Sequence, residues 1–227
     1  MKAFSPVTRS RPAGAAALAR TIALAIVLAG VWLPAPGEAG TKVRGRIIAP
    51  ASRSVTLAGG EKVREQNDLR QAVVYVTPSA GTKPLKGKRT QERVTLAGSR
   101  FQPSVTAFAE GSTIRFENTD RVWHNVFSVS PARRFDIGKL APGTRTEVGF
   151  DSGGVVQLFC ELHPAAAGFV VVCPNRYFIR PASSGRYQLP ALPRGEYVVT
   201  VWHPGLGSVR RGIDVSGRGD YTLDLRF

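Results

Sequence analysis

Residues Phe159–Cys173 read FCELHPAAAGFVVVC, a cysteine and a histidine three positions apart between two apolar runs. The first run, GGVVQLFC, ends on Cys160; the second, GFVVVC, begins at Gly168. Both are rich in valine and bounded by glycine, which predicts two strands joined by a short loop. Two intervening residues let the chain turn, so that the Cys160 sulfur and a His163 ring nitrogen can converge on one point. Spacing alone is weak evidence for a site. It gains weight from NTDRVWHNVFS, where His124 opens a further predicted strand after a turn containing Asn118, Thr119 and Asp120. If the strand beginning at His124 lies beside the strand ending at Cys160, His124 reaches the same point from outside the loop.

Two imidazoles and one thiolate suit copper in either oxidation state, and a trigonal set of this kind is used for electron transfer. An iron–sulfur cluster needs about four cysteines, and the whole chain has 2. Structural zinc takes four protein ligands, whereas catalytic zinc takes three and a water, so a zinc site with these donors stays open. A cysteine hydrolase is disfavoured: no acidic residue is evidently placed to orient His163. There is also no glycine-rich phosphate loop. The chain is therefore not expected to be an enzyme.

The rest of the sequence reads as short strands. Alternation appears in TKVRGRII, QAVVYVTP, ERVTLAG, SVTAFAEGSTIRFEN, TRTEVGF, GRYQLP, GEYVVTVWHP and YTLDLRF, with Gly, Pro, Asn and Asp in nearly every gap. No helical period is sustained, so the fold class is all-β, in sandwiches. Residues 91–173 hold enough strands for one sandwich, while neither 40–90 nor 174–227 can close its own. The two flanks are thus read as one domain interrupted by the middle; a single extended sandwich is the simpler alternative.

Residues 1–39 have the layout of a secretory signal peptide. Lys2, Arg9, Arg11 and Arg20 precede the apolar run TIALAIVLAGVWL, and small residues allow cleavage after Ala39. An uncleaved anchor is the alternative, although the run is short for a membrane span, and no spanning segment is expected in the mature chain. The formal charge is +15, and removing the leader's four cations and Glu38 leaves +12. That surface favours an acidic protein partner or an anionic membrane surface. Nucleic acid is a poor partner for an exported protein. Export to the periplasm or beyond also makes a Cys160–Cys173 disulfide the default for the pair. Hairpin geometry opposes it. If Cys160 and Gly168 bound the loop, Cys173 faces Val155, and five residues of strand span ~16 Å at ~3.3 Å each. A bridge tolerates about 7 Å between Cα atoms.

Residues Phe101–Cys173 resemble a cupredoxin, or blue copper domain, in FQPSVTAFAEGSTIRFENTD, HNVFS and the FC-x-L-HP loop. More narrowly, the chain is similar to bacterial exported plastocyanin- or amicyanin-like proteins. The flanks, VRGRIIAP…DLRQAVVYVTP and SSGRYQLPALPRGEYVVTVWHP, resemble a carboxypeptidase-regulatory-like, transthyretin-type β-sandwich. The resemblance implies a Greek-key cupredoxin-like sandwich plus an Ig/transthyretin-like one. It implies one copper ion, Cu(I)/Cu(II), held by His124, Cys160 and His163, with Asn125 bracing the ligand loop. The implied role is one-electron transfer with a redox partner protein. Copper delivery, or a cupredoxin-like interaction module with little redox use, are the alternatives.

The sequence departs from that family at the axial position. Where relatives place a methionine after the cysteine, this chain has Ala166 and Gly168, and its 1 methionine is Met1. Glu161, next to Cys160, is expected to turn away from the metal. Trp123 reads equally as a docking aromatic or a packing residue, and His203, in VWHP, as a structural residue of the flanking sandwich.

Overall fold

The computed structural model describes residues 40–56, 60, 62–216 and 219–227; the signal-peptide reading lies outside them. The first flank forms β1 (Val43–Ile48), β2 (Ser52–Thr56), β3 (Lys62–Gln66) and β4 (Val73–Pro78). The middle forms β5 (Gln91–Leu96), β6 (Phe101–Gln102), β7 (Val105–Ala109), β8 (Ser112–Asn118), β9 (His124–Ser130), β10 (Arg133–Leu140), β11 (Arg145–Phe150), β12 (Gly154–Cys160) and β13 (Ala167–Cys173). The second flank forms β14 (Phe178–Ile179), β15 (Arg186–Gln188), β16 (Gly195–His203), β17 (Gly207–Val215), β18 (Tyr221–Thr222) and β19 (Leu225–Arg226). The fold is all-β: the 3-10 turn Leu69–Gln71 is the only helical element among the described residues. No helix there is long and apolar enough to cross a membrane.

The middle strands make two sheets, β10-β9-β12-β13-β7 and β11-β8-β5-β6. Alternation drives their pairing. In β8, Ser112, Ile114, Phe116 and Asn118 are buried while Thr113, Arg115 and Glu117 are less so. In β12, Val156, Leu158 and Cys160 point inward together. The shared core contains Val94, Phe108, Ile114, Phe116, Val126, Phe150 and Leu158. Phe108 meets Phe150 edge to face at 5.4 Å. Each such buried side chain contributes roughly 1.5–3 kcal/mol by leaving water.

The flanks build a second core from both ends of the chain. One sheet runs β15-β1-β18, with β19 also on β1; the other runs β14-β4-β16-β17. Val43, Ile47, Val74, Val76, Tyr197, Val199, Val201 and Leu225 fill the space between them. His203 belongs to this part: its Nε2 lies 3.2 Å from the Asp68 carbonyl oxygen, and its Nδ1 accepts from the Gly205 amide at 3.1 Å.

A third apolar layer joins the two. Val73 and Tyr75, of opposite parity to Val74 and Val76 on β4, meet Val105, Phe169, Val171 and Cys173 from β7 and β13. Phe169 and Trp202 lie 5.3 Å apart across it. Strands β4 and β13 are therefore covered on both faces, which is why VVYV and FVVVC read as continuous apolar runs rather than alternating ones. Cys173 is a free thiol in this layer, and burial pushes its pKa up.

Two sequence expectations need correction. Strands β2, β3, β6, β10, β14 and β17 escape the strand reading. Strands β10 and β17 are edge strands whose RRFDIGKL and GSVRRGIDV carry charge outward, which protects an edge but hides alternation. The hairpin register also differs, since Leu158 pairs Gly168 and Phe159 pairs Ala167. The turn is centred one residue earlier than the sequence suggested, with a loop of the same length, and Val155 faces Val171 rather than Cys173. Both cysteines are nonetheless free.

Candidate metal centre

Period-2 geometry brings the donors together. Strands β9 and β12 pair antiparallel, with Cys160 opposite Val126 and Phe159 opposite Phe127. His124 has the parity of Val126 and Cys160 that of Leu158, so both project into the same core beyond the end of the sheet. His163 is carried back by the loop. Its amide donates to the Cys160 carbonyl at 3.3 Å, and the Ala166 amide donates to the His163 carbonyl at 2.8 Å. As a result Cys160 Sγ lies 3.5 Å from His124 Nδ1 and 3.6 Å from His163 Nδ1. The imidazole centroids are 4.5 Å apart. These three residues are a group able to hold a metal ion.

The spacing fits a common ion. Metal bonds of roughly 2.0–2.3 Å to nitrogen and sulfur separate trigonal donors by ~3.5–4 Å. His124 is 0% exposed, whereas His163 is half-buried, so the centre sits at the sandwich's end with one imidazole edge toward solvent.

His124 is oriented from behind. Its Nε2 lies 2.9 Å from Asp120 Oδ2; a carboxylate only accepts, so Nε2 carries the proton and, in the neutral ring, Nδ1 keeps a lone pair facing Cys160. Asp120 is itself held by amide donors, from Gly98 at 2.7 Å and from Ser99 at 2.9 Å. The Ser99 amide first, with the Gly98 amide and His124 adding to it, holds the Asp120 carboxyl below the usual range despite some opposing desolvation. The turn before His124 is tied by Asn118, whose Nδ2 donates to the Val122 and Leu140 carbonyls.

Sequence reading noted Asp120 only as a turn residue. The available signal was its position four residues before His124, close enough for a carboxylate to meet the ring through a turn. Asp120→Asn should lower metal affinity roughly 10–100-fold, the range for such supporting partners. An asparagine that keeps its oxygen toward His124 and the Ser99 amide turns its NH2 group onto the Gly98 amide, which the other carboxylate oxygen of Asp120 now satisfies. Calorimetric metal titration of both proteins checks this.

The other side of the loop is braced by Asn125, whose Nδ2 donates to Glu161 Oε2 at 3.0 Å, while the Glu161 amide reaches the Asn125 carbonyl at 3.3 Å. Glu161 is thereby turned from the donors. Ala166 is buried in the core beside them. At Gly168 a Cβ would stand 3.1 Å from Phe101, so that aromatic occupies the space a longer side chain there would need.

No family model and no curated protein matches the sequence. Solved structures do. A purple cupredoxin from Nitrosopumilus maritimus is 25% identical over 36% of this chain and 98% of its own, with a TM-score of 0.33. A methionine-to-alanine mutant of amicyanin, as Cu(I), is 19% identical over 45% of this chain and 98% of its own, with a TM-score of 0.35. Part of this chain is similar to cupredoxins. A Cu-containing nitrite reductase from Thermus scotoductus SA-01 is also similar, at 27% identity and a TM-score of 0.35. The match covers 42% of this chain but only 25% of that enzyme.

Proposed function

We propose that His124, Cys160 and His163 bind one copper ion and that the protein passes single electrons between partner proteins. The observation that carries this is the convergence of two Nδ1 atoms on one sulfur at 3.5 and 3.6 Å. Copper held there supplies a one-electron couple, and soft sulfur with imidazole suits both of its oxidation states. The chain's own residues keep the donors fixed: Asp120 sets the His124 tautomer, Asn125 and Glu161 pin the loop, and the core holds Cys160 dry. A scaffold that does not rearrange favours fast electron exchange.

Solvent-facing groups beside the site support a docking role. Trp123 is 52% exposed and Val122 and Leu162 nearly as much, each next to or one residue removed from a proposed ligand. A partner can cover them and approach the His163 edge. The formal positive charge favours an acidic partner. The leader at 1–39 supports export to the periplasm, and the shared flank core supports treating 91–173 as a copper domain inserted into a second sandwich formed by 40–90 and 174–227.

Copper capture or delivery is the second reading, favoured by one observation: no thioether lies among the described residues, so no methionine sulfur joins the three side-chain donors. A copper titration followed by visible and paramagnetic resonance spectra tests both. One equivalent with an intense visible band and a reversible potential supports electron transfer. Tight Cu(I) binding with no reversible oxidation favours delivery, and a colourless complex preferring zinc contradicts both.

The missing axial donor gives a further expectation. Ala166→Met should stabilise the oxidised ion and lower the potential by about 59 mV or more, a tenfold shift for a one-electron couple. Protein-film voltammetry of the two forms reads it directly.

A further inference from the structure

Away from the copper-site residues, the flanking sandwich carries a cavity of about 480 Å³ whose lining includes Lys83, Lys86, Arg176, Arg194, Tyr177 and Tyr197. We propose that it is a binding site for a small, multiply charged oxyanion, a phosphate ester or a polycarboxylate. This is independent of the copper assignment.

Charge comes first. All four cations are exposed, no carboxylate belongs to the lining, and among the described residues none of the four pairs with an acidic side chain. Like charges gathered around one concavity repel each other and raise the local potential, an arrangement that an anion relieves. Scattered surface lysines need no such explanation; convergence on a cavity does.

The walls are built rather than incidental. The segment bearing Lys83 and Lys86 is tied near both ends: Thr82 Oγ1 accepts from the Glu196 amide at 3.1 Å, and the Lys86 carbonyl accepts from the Arg176 amide at 3.4 Å. Between them Leu85 packs on the flank core. Asn175 fixes the opposite wall, donating to the Val76 carbonyl and accepting from the Tyr177 amide. Tyr177 and Tyr197 are buried and form the floor. The Arg176 guanidinium stands 5.3 Å above the Tyr177 ring and donates to its hydroxyl at 3.4 Å, which preorganises it at the edge. A volume of this size suits a small molecule. Its cationic edge recognises clustered oxygens, and the aromatic floor accepts a ring or an apolar portion.

Calorimetry of the full chain with inorganic pyrophosphate and, separately, benzene-1,2,4-tricarboxylate tests the site. Binding of either supports it, and the tighter of the two identifies the phosphoryl or carboxyl source. In Lys86→Glu/Arg194→Glu that binding should fall at least tenfold, and in the native protein it should weaken as salt is raised. Thermal unfolding of the double variant and of Lys86→Gln alone establishes that the fold persists, with the single variant keeping the test open if the double one does not fold. Absence of binding by both anions, or equal binding by the variants, overturns the proposal. So does binding of an oligoglutamate peptide but of neither small anion, which would assign the surface to a protein partner.

Discussion

Cys160→Ser should abolish the intense visible absorption of the copper-loaded protein and weaken copper binding by more than the roughly 100-fold cost of losing a supporting partner. The band requires sulfur bonded to copper, and a serine oxygen is a hard donor that does not replace a soft thiolate. Cys160 and His124 are buried, so the position the sulfur leaves faces the core, where no second soft donor stands beside it among the described residues. Cys173→Ser is the matched control. It places a hydroxyl in the apolar layer between the two sandwiches, costing about 1–3 kcal/mol, yet should leave the visible spectrum unchanged. Spectra and chemical denaturation of both variants separate the sulfur that binds metal from the sulfur that packs.

Gly45→Ala should be the most damaging single methyl addition in the flanking sandwich. A Cβ at Gly45 would lie 1.7 Å from the Leu223 carbonyl oxygen. That carbonyl cannot easily retreat, because it accepts from the Tyr187 hydroxyl at 2.7 Å, and the Leu223 amide is bonded to the Arg44 carbonyl. The close approach lets β18 and β19 both pair with β1, one after the other. Forcing it open should cost at least about 3 kcal/mol, a fall in melting temperature of roughly 6–12 °C for a chain of this size. Gly149→Ala, where the added methyl meets nothing within 4 Å, should stay within about 0.5 kcal/mol.

These two sites mark what the sequence discloses and what it conceals. Strand identity is legible wherever one face is buried, as in STIRFEN, because alternation then records the fold. It fails for RRFDIGKL and GSVRRGIDV, edge strands whose charge serves solubility more than packing. The convergence of His124, Cys160 and His163 is also legible, since strand parity fixes which way each side chain points once β9 and β12 are neighbours. Asp120 is harder: its role depends on the amides of Gly98 and Ser99, about twenty residues upstream, meeting the turn before His124. Gly45 offers no local signal at all, because the atom that forbids a side chain arrives from residue 223. Likewise Lys83, Lys86, Arg176 and Arg194 read as separate surface charges until the flanks close around Tyr177 and Tyr197.

The central claim is that one sulfur and two imidazoles bind a single copper ion. Copper-edge X-ray absorption of the fully loaded protein tests it most directly. One short sulfur contact and two imidazole nitrogens in the copper shell, with the sulfur lost in Cys160→Ser, is the predicted result. A shell of oxygen and nitrogen without sulfur, or one unchanged by that substitution, would contradict the account.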